Sequence, residues 1–193
     1  MSVLAICGGM REESNTNKLV RAVAAATGGA VAEVNMERTV IKPCTGCGMC
    51  MMDEGRCPIE DDMQAVYAQL MDADGLVIGS PTYYMDVSGA VKCLIDRSLA
   101  LYYRGIGPLG YPDKPFLGQR PLAGKPVVLV TTVAGAGQEK AMAMLRFCMG
   151  ECHKMAVVAE IAEAVGMNDV DDMPELLQKA STAGAALGAA IRS

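Results

Sequence analysis

Short apolar runs alternate along this chain with longer segments in which apolar residues recur every three or four positions. The runs at residues 3–7, 30–36, 75–79, 126–132 and 155–162 predict five buried strands. Helical spacing predicts helices over residues 18–26, after Asp61 and Asp62, after Ser88, over residues 139–150 and from Pro174 onward. Strands that alternate with helices are typical of a parallel sheet. We therefore predict a doubly wound, five-stranded parallel sheet in a three-layer α/β/α domain.

Composition narrows the class of protein. The chain has 193 residues, of which 51% are hydrophobic, and we interpret residues 1–193 as a single domain. Proteins that bind nucleic acid normally carry a basic face. The net charge of −5 therefore argues against a nucleic-acid partner. No apolar run approaches the roughly 18 residues that span a bilayer, and residues 1–7 read as a core strand without signal-peptide features. We expect a cytoplasmic protein with no membrane partner.

Three loops follow predicted strands and should meet at the carboxyl edge of the sheet, where such folds bind ligands. They cover residues 8–17, 80–86 and 133–138. The first loop, GGMREESNTNK, leads into a helix whose N-terminus favours an anion, and Arg11 can pair with a phosphate. Helix capping is the alternative role for its short polar side chains. The chain lacks the Gly-x-x-x-x-Gly-Lys-Ser/Thr and Gly-x-Gly-x-x-Gly patterns, which disfavours a P-loop nucleotidase and a Rossmann dinucleotide site.

The sequence GSPTYYMDVSGAVKCLIDR, residues 79–97, resembles the NAD(P)H-dependent FMN reductase family, which carries G-S-P-x-Y-x-x-x-x-S-x-x-x-K-x-x-I-D-R after its third strand. The first loop is similar to that family's G-S-P-R-x-x-S-x-T, with Gly9 and Met10 in place of Ser and Pro. This resemblance covers residues 3–162 and implies a flavodoxin-like fold that binds FMN noncovalently. Without this resemblance, Tyr83 and Tyr84 would be interpreted as core or interface residues.

The resemblance also implies which residues hold FMN. The phosphate would lie on Arg11, Ser14, Asn15 and Thr16, with the amide of Gly9 as a further donor. The isoalloxazine ring would lie against Pro81, Thr82, Tyr83 and Tyr84, close to Ser88. Its other side would be closed by Val133, Ala134, Gly135 and Gly137. A flavin needs a flat wall and backbone donors that tune its potential, and these loops supply both.

Four of the eight cysteines fall in the glycine-rich loop at residues 42–60. Cys44, Cys47, Cys50 and Cys57 form a C-x2-C-x2-C-x6-C pattern, which suits a [4Fe–4S] cluster and in principle zinc. Together with the Asp61-Asp62-Met63 that follows, the pattern is similar to that of the iron–sulfur flavoproteins. That likeness implies one cluster per subunit and an assembly in which cluster and flavin of neighbouring subunits approach. A loop with free, reactive thiols is the alternative.

Three functions remain open on these observations. The first is a flavin redox protein that passes electrons between FMN and a [4Fe–4S] cluster or an external carrier of the ferredoxin type, with no catalytic side chain. The second is a cluster-free reductase of FMN or quinones that takes electrons from NAD(P)H. The third is a zinc-stapled binding module without enzymatic activity. We also predict a homodimer or homotetramer, because residues 102–119 hold four aromatics that would cover a neighbouring subunit or the flavin.

Overall fold

A computed structural model describes residues 1–104 and 120–193, and its centre is a parallel sheet. The strands are β1 (Ser2–Cys7), β2 (Ala30–Asn35), β3 (Gly75–Tyr83), β4 (Asp86–Val87), β5 (Pro126–Val133) and β6 (Ala156–Ala164). The five long strands are parallel in the order β2-β1-β3-β5-β6, while β4 pairs antiparallel with the end of β3. This is the strand order of flavodoxin-like folds. The predicted fold class is confirmed.

Helices cover both faces of the sheet. They are α1 (Asn15–Ala25), α2 (Met49–Met52), α3 (Met63–Asp72), α4 (Gly89–Tyr102), α5 (Gln138–Leu145) and α6 (Pro174–Arg192). Apolar residues of α1 and α6 pack with one set of strand side chains, and those of α3, α4 and α5 pack with the other set. Residues within one strand therefore alternate between two cores: Leu4 and Ile6 face one, Val3 and Ala5 the other. This arrangement leaves the strand ends free for loops.

The third strand is longer than its apolar run predicts. It continues past Gly79 because Ser80 and Pro81 stay paired with Thr131 and Thr132 of β5. Proline is tolerated there since β1 has already ended opposite Gly79, so no partner on that side requires the missing N–H. Residues predicted to form a loop thus stand on the sheet itself.

The predicted helix over residues 139–150 is also more complex than expected. It is α-helical only to Leu145 and then widens into a π-helical segment, Arg146–Cys152. Such segments lie frequently at functional sites. No helix in the two described stretches is long and apolar enough to cross a bilayer.

Candidate functional site

A cleft of about 290 Å³ opens at the carboxyl edge of the sheet. Four loop segments and the strand ends beneath them form its walls. Its lining residues are Arg11, Ser14, Asn15, Thr16, Pro81, Thr82, Tyr83, Thr132, Val133, Ala134, Gly135, Val165 and Gly166. Members of all three predicted binding loops are therefore brought together in one concave surface.

The start of α1 forms the end of this cleft that suits an anion. Ser14 caps the helix, and its Oγ accepts the N–H of Asn17 at 3.2 Å. The N–H groups of Asn15 and Thr16 have no hydrogen-bond partner within the described residues. Arg11 is exposed, and its side chain forms no ion pair in the part of the chain that the structure describes. Free amides, a helix N-terminus and an uncommitted guanidinium suit a phosphate.

Like Ser14, the predicted phosphate ligands Asn15 and Thr16 use their side chains within the protein. Asn15 Nδ2 donates to the carbonyl of Asn168 at 2.8 Å, and Asn15 Oδ1 accepts from the N–H of Val170 at 3.0 Å. The hydroxyls of Thr16 and Thr132 are 2.6 Å apart and buried. Both residues line the cleft with these side chains engaged inside the protein, and in the described structure their backbone amides remain free for an anion.

Gly9 helps to shape the first loop, residues 8–17, which we call the phosphate loop. Its N–H, which the family resemblance implied as a phosphate donor, donates to Asn17 Oδ1 at 2.8 Å in this structure. A Cβ on Gly9 would lie 1.9 Å from Ser14 Oγ, which explains why no side chain stands here. Asn17, which the sequence analysis missed, organises the loop, because its Nδ2 also donates to the carbonyls of Gly9 and Arg11. The only sequence signal was an amide directly before the helix predicted over residues 18–26.

The opposite end of the cleft offers a surface for a flat ring. Pro81, Thr82 and Tyr83 line one side at the end of β3, and residues 133–135 line the other. Thr82 Oγ1 is buried and has no hydrogen-bond partner in the described structure. An unsatisfied buried hydroxyl is costly, so it marks a place where a ligand atom can complete the hydrogen bonding. Tyr83 is half exposed beside it.

Three predicted ring contacts lie elsewhere in the structure. Tyr84 is fully exposed, with a φ of 49°. Ser88 is buried under the loop, where it caps α4 and donates to the carbonyl of Gly8 at 3.0 Å. Gly137 packs against Met85, since a Cβ there would lie 2.2 Å from the Met85 sulfur. None of the three lines the cleft; Ser88 and Gly137 instead hold the neighbouring loops in place.

The four predicted metal ligands lie on one loop over α3 and α4. Cys44 and Cys47 are exposed, whereas Cys50 and Cys57 are partly buried against the core. Burial raises the pKa of Cys50, and the charges of Cys57, Cys44 and Cys47 raise it further. Cys50 is therefore close enough to the other three cysteines for their charges to affect its pKa.

Backbone donors and glycines surround these thiols. The N–H of Met49 and the side chain of Thr45 lower the pKa of Cys47. Gly46 and Gly48 adopt φ values of 67° and 71°, which place the chain in the left-handed region. Amide donors to sulfur are a feature of iron–sulfur sites.

The donor set fits a thiophilic centre, but the thiols are not gathered into one. Within residues 1–104 and 120–193, no three His, Cys, Asp or Glu side chains are close enough to hold a metal ion. The two exposed cysteines would have to close over the two anchored ones. The sequence pattern supplies the right ligands, and the structure does not show them assembled.

Residues 1–169 match a family described as NADPH-dependent FMN reductase. An iron-sulfur flavoprotein of Methanocaldococcus jannaschii is 41% identical over 108 residues, which is 52% of this chain and 53% of that protein. The chain thus matches about half the length of that relative. An iron-sulfur flavoprotein of Archaeoglobus fulgidus is 29% identical over 201 residues, covering 100% of this chain and 81% of that protein.

A solved structure is similar in fold. An NAD(P)H:quinone oxidoreductase from Methanothermobacter marburgensis superposes with a TM-score of 0.71 at 17% identity, covering 97% of this chain and 96% of that one. At such low identity the likeness concerns the fold alone.

Proposed function

Because the chain belongs to the NADPH-dependent FMN reductase family, we propose that it is an oxidoreductase that holds FMN in the cleft at the carboxyl edge of the sheet. One observation carries the proposal: a single cleft joins the free amides at the start of α1, the unpaired Arg11 of the described structure and the unsatisfied Thr82 Oγ1. The first two suit a phosphate at one end, and the third suits a polar ring atom at the other. FMN would supply the one- and two-electron chemistry.

The binding roles follow from the geometry. Arg11 and the amides of Asn15 and Thr16 would hold the phosphate. Pro81 to Tyr83 and residues 133–135 would flank the ring, and Thr82 Oγ1 would bond one of its polar atoms. Ser88 and Gly137 would act only on the loops around the site, whereas Tyr84 stays exposed outside the cleft.

We further propose that Cys44, Cys47, Cys50 and Cys57 hold a [4Fe–4S] cluster that exchanges electrons with the flavin or with an external carrier. The donor chemistry and the relatives named iron-sulfur flavoproteins support this proposal. A cluster-free reductase that takes electrons from NAD(P)H is the second candidate, favoured by the dispersed thiols of the described structure. The predicted homodimer or homotetramer, the ferredoxin-type partner and the cytoplasmic location belong to the same hypothesis. Of the aromatic segment behind the assembly prediction, residues 105–119 lie outside the described residues.

Anaerobic purification separates these functions. The protein should carry FMN, iron and sulfide, with flavin bands and a broad iron–sulfur absorption in one spectrum. Cys50→Ser should lose iron and keep FMN, whereas the matched control Cys93→Ser, outside the loop, should keep both. Flavin without iron would leave the cluster-free reductase, and zinc without flavin would overturn both redox proposals. Rapid mixing with NADH, NADPH and reduced ferredoxin would then identify the electron donor.

A further inference from the structure

Arg97 is a buried cation that contacts the cysteine loop from the third turn of α4. Its side chain is 0% exposed, and that of its partner Asp61 is 1% exposed. Arg97 Nη1 donates to Asp61 Oδ2 at 2.6 Å, and Nη2 donates to Asp61 Oδ1 at 3.1 Å. The pair is bidentate, which fixes its orientation as well as its distance.

The same guanidinium also bonds both ends of the loop. Nη1 donates to the carbonyl of Lys42 at 3.0 Å, and Nη2 donates to the carbonyl of Ile59 at 3.2 Å. Lys42 stands two residues before Cys44, and Ile59 stands two residues after Cys57. One side chain therefore ties together the two stems that flank all four thiols.

Asp61 completes the connection from the opposite side. Its carboxylate accepts the N–H of Lys42 at 2.8 Å and the N–H of Met63 at 3.1 Å. Burial opposes its charged form, but the bonds from Arg97 and the two amides outweigh burial and hold the pKa of Asp61 below its ordinary value. The aspartate is thus an anion that binds one stem and the first turn of α3.

We propose that the Arg97–Asp61 pair is a clamp that fixes both stems of the cysteine loop, so that its four thiols need a smaller rearrangement to close on a thiophilic metal centre. The inference deepens the proposed cluster and rests on it. Closing a loop at its base removes most of the conformations in which its ligands are far apart, so less ordering remains when metal binds.

Core stability alone gives little reason for this pair. A buried ion pair is often no more stabilising than apolar residues of similar volume, because both charges lose water. Here the guanidinium makes all its described bonds to the aspartate and to loop carbonyls. Its hydrogen bonds to Lys42 and Ile59 hold the two ends of the cysteine loop together.

Cadmium binding to the apoprotein tests the clamp without any redox activity. The full chain, stripped of metal and reduced, would be titrated with Cd²⁺ while the thiolate-to-cadmium absorption is recorded. Arg97→Met should weaken Cd²⁺ binding about 10- to 100-fold, the range seen when the groups that orient metal ligands are lost. Arg97→Lys, which keeps the charge, should restore part of the affinity.

The matched control is Lys92→Met, which removes another ion pair of α4. Lys92 Nζ bonds Asp96 at 2.5 Å on the same helix and has no hydrogen bond to the cysteine loop among the described contacts. Its Cd²⁺ affinity should equal that of the unmodified protein. FMN content and thermal unfolding would show that each variant is folded.

Two results would overturn the clamp: equal Cd²⁺ affinity in Arg97→Met, or no four-thiolate signature in the unmodified protein. Should Arg97→Met not fold, hydrogen exchange in the unmodified protein decides. The N–H of Lys42 must then be protected, and exchange there as fast as at Gly46 would overturn the inference. A third outcome separates the two proposals. If Cd²⁺ affinity depends on Arg97 but the protein never assembles iron and sulfide, the cluster proposal is refuted and the clamp is retained.

Discussion

His153 should make the protein lose stability in mild acid. The side chain is buried, and its Nε2 lies 2.9 Å from Ser98 Oγ. Ser98 already donates its hydroxyl proton to the carbonyl of Ile95, so it accepts from Nε2–H, and the proton of the neutral ring is assigned to Nε2. Nδ1 is buried without a partner in the described structure. Burial, assisted by the charge of Arg120, lowers the pKa of His153 to about 4.

The size of the effect follows from linkage between proton binding and folding. An unfolded chain protonates this histidine below its ordinary pKa of 6.5, whereas the folded protein resists protonation down to about 4. Between these values the unfolded state binds more protons, so the free energy of unfolding falls as the pH falls. A shift of about 2.5 pKa units, at roughly 1.4 kcal/mol per unit, corresponds to about 3 kcal/mol lost between pH 6.5 and pH 4.

Urea unfolding at a series of pH values measures this loss. The chain has one histidine, so His153→Gln removes the only side chain of that type while every carboxylate stays. Between pH 7 and pH 4, the unmodified protein should lose about 3 kcal/mol more than the variant. Curves that run parallel over this interval would show that His153 binds its proton as readily in the folded protein as in the unfolded chain.

Three further substitutions test the cleft and the packing. Arg11→Gln should weaken FMN by about 1.5 kcal/mol, roughly tenfold, and leave riboflavin binding unchanged, as fluorescence titration would show; equal losses for both would contradict a phosphate contact. Gly9→Ser should lower stability by about 1–3 kcal/mol in thermal unfolding, because its Cβ meets Ser14 Oγ at 1.9 Å. Gly184→Ala should cost a similar amount, since its Cβ would lie 2.2 Å from the carbonyl of Val23; a melting temperature that rises with the better helix former would refute this close packing.

The apolar pattern was enough to predict the sheet and the edge that carries the cleft. Parallel strands buried on both faces give unbroken apolar runs, and such runs stand out in the sequence at β3 and β5. The position of the cleft at the carboxyl edge then follows from the topology alone, because such sheets bind ligands there. Local pattern could not give the end of β3, because the pairing of Pro81 with Thr132 depends on where two distant strands stop.

Side-chain roles within the cleft were harder to predict, because short polar residues can bond either a ligand or the chain itself. Asn15 and Thr16 look alike in sequence as phosphate ligands, yet both side chains are engaged with segments more than a hundred residues away. The Arg97–Asp61 pair is equally hidden, since its partners lie 36 positions apart. Such contacts follow only from the three-dimensional arrangement of the helices.

Helix α4 links the cleft to the cysteine loop. At its start, Ser88 bonds the carbonyl of Gly8 behind the phosphate loop, and nine residues later Arg97 binds both stems of the cysteine loop. At about 1.5 Å per residue, these anchors are roughly 14 Å apart along one rigid element. Since hydrogen bonds hold α4 at both of these positions, a tilt of α4 would disturb both loops together. We therefore expect that Ser88→Ala, which removes the bond to Gly8, perturbs Cd²⁺ binding as well as FMN binding, and a loss confined to FMN would show that α4 does not couple them.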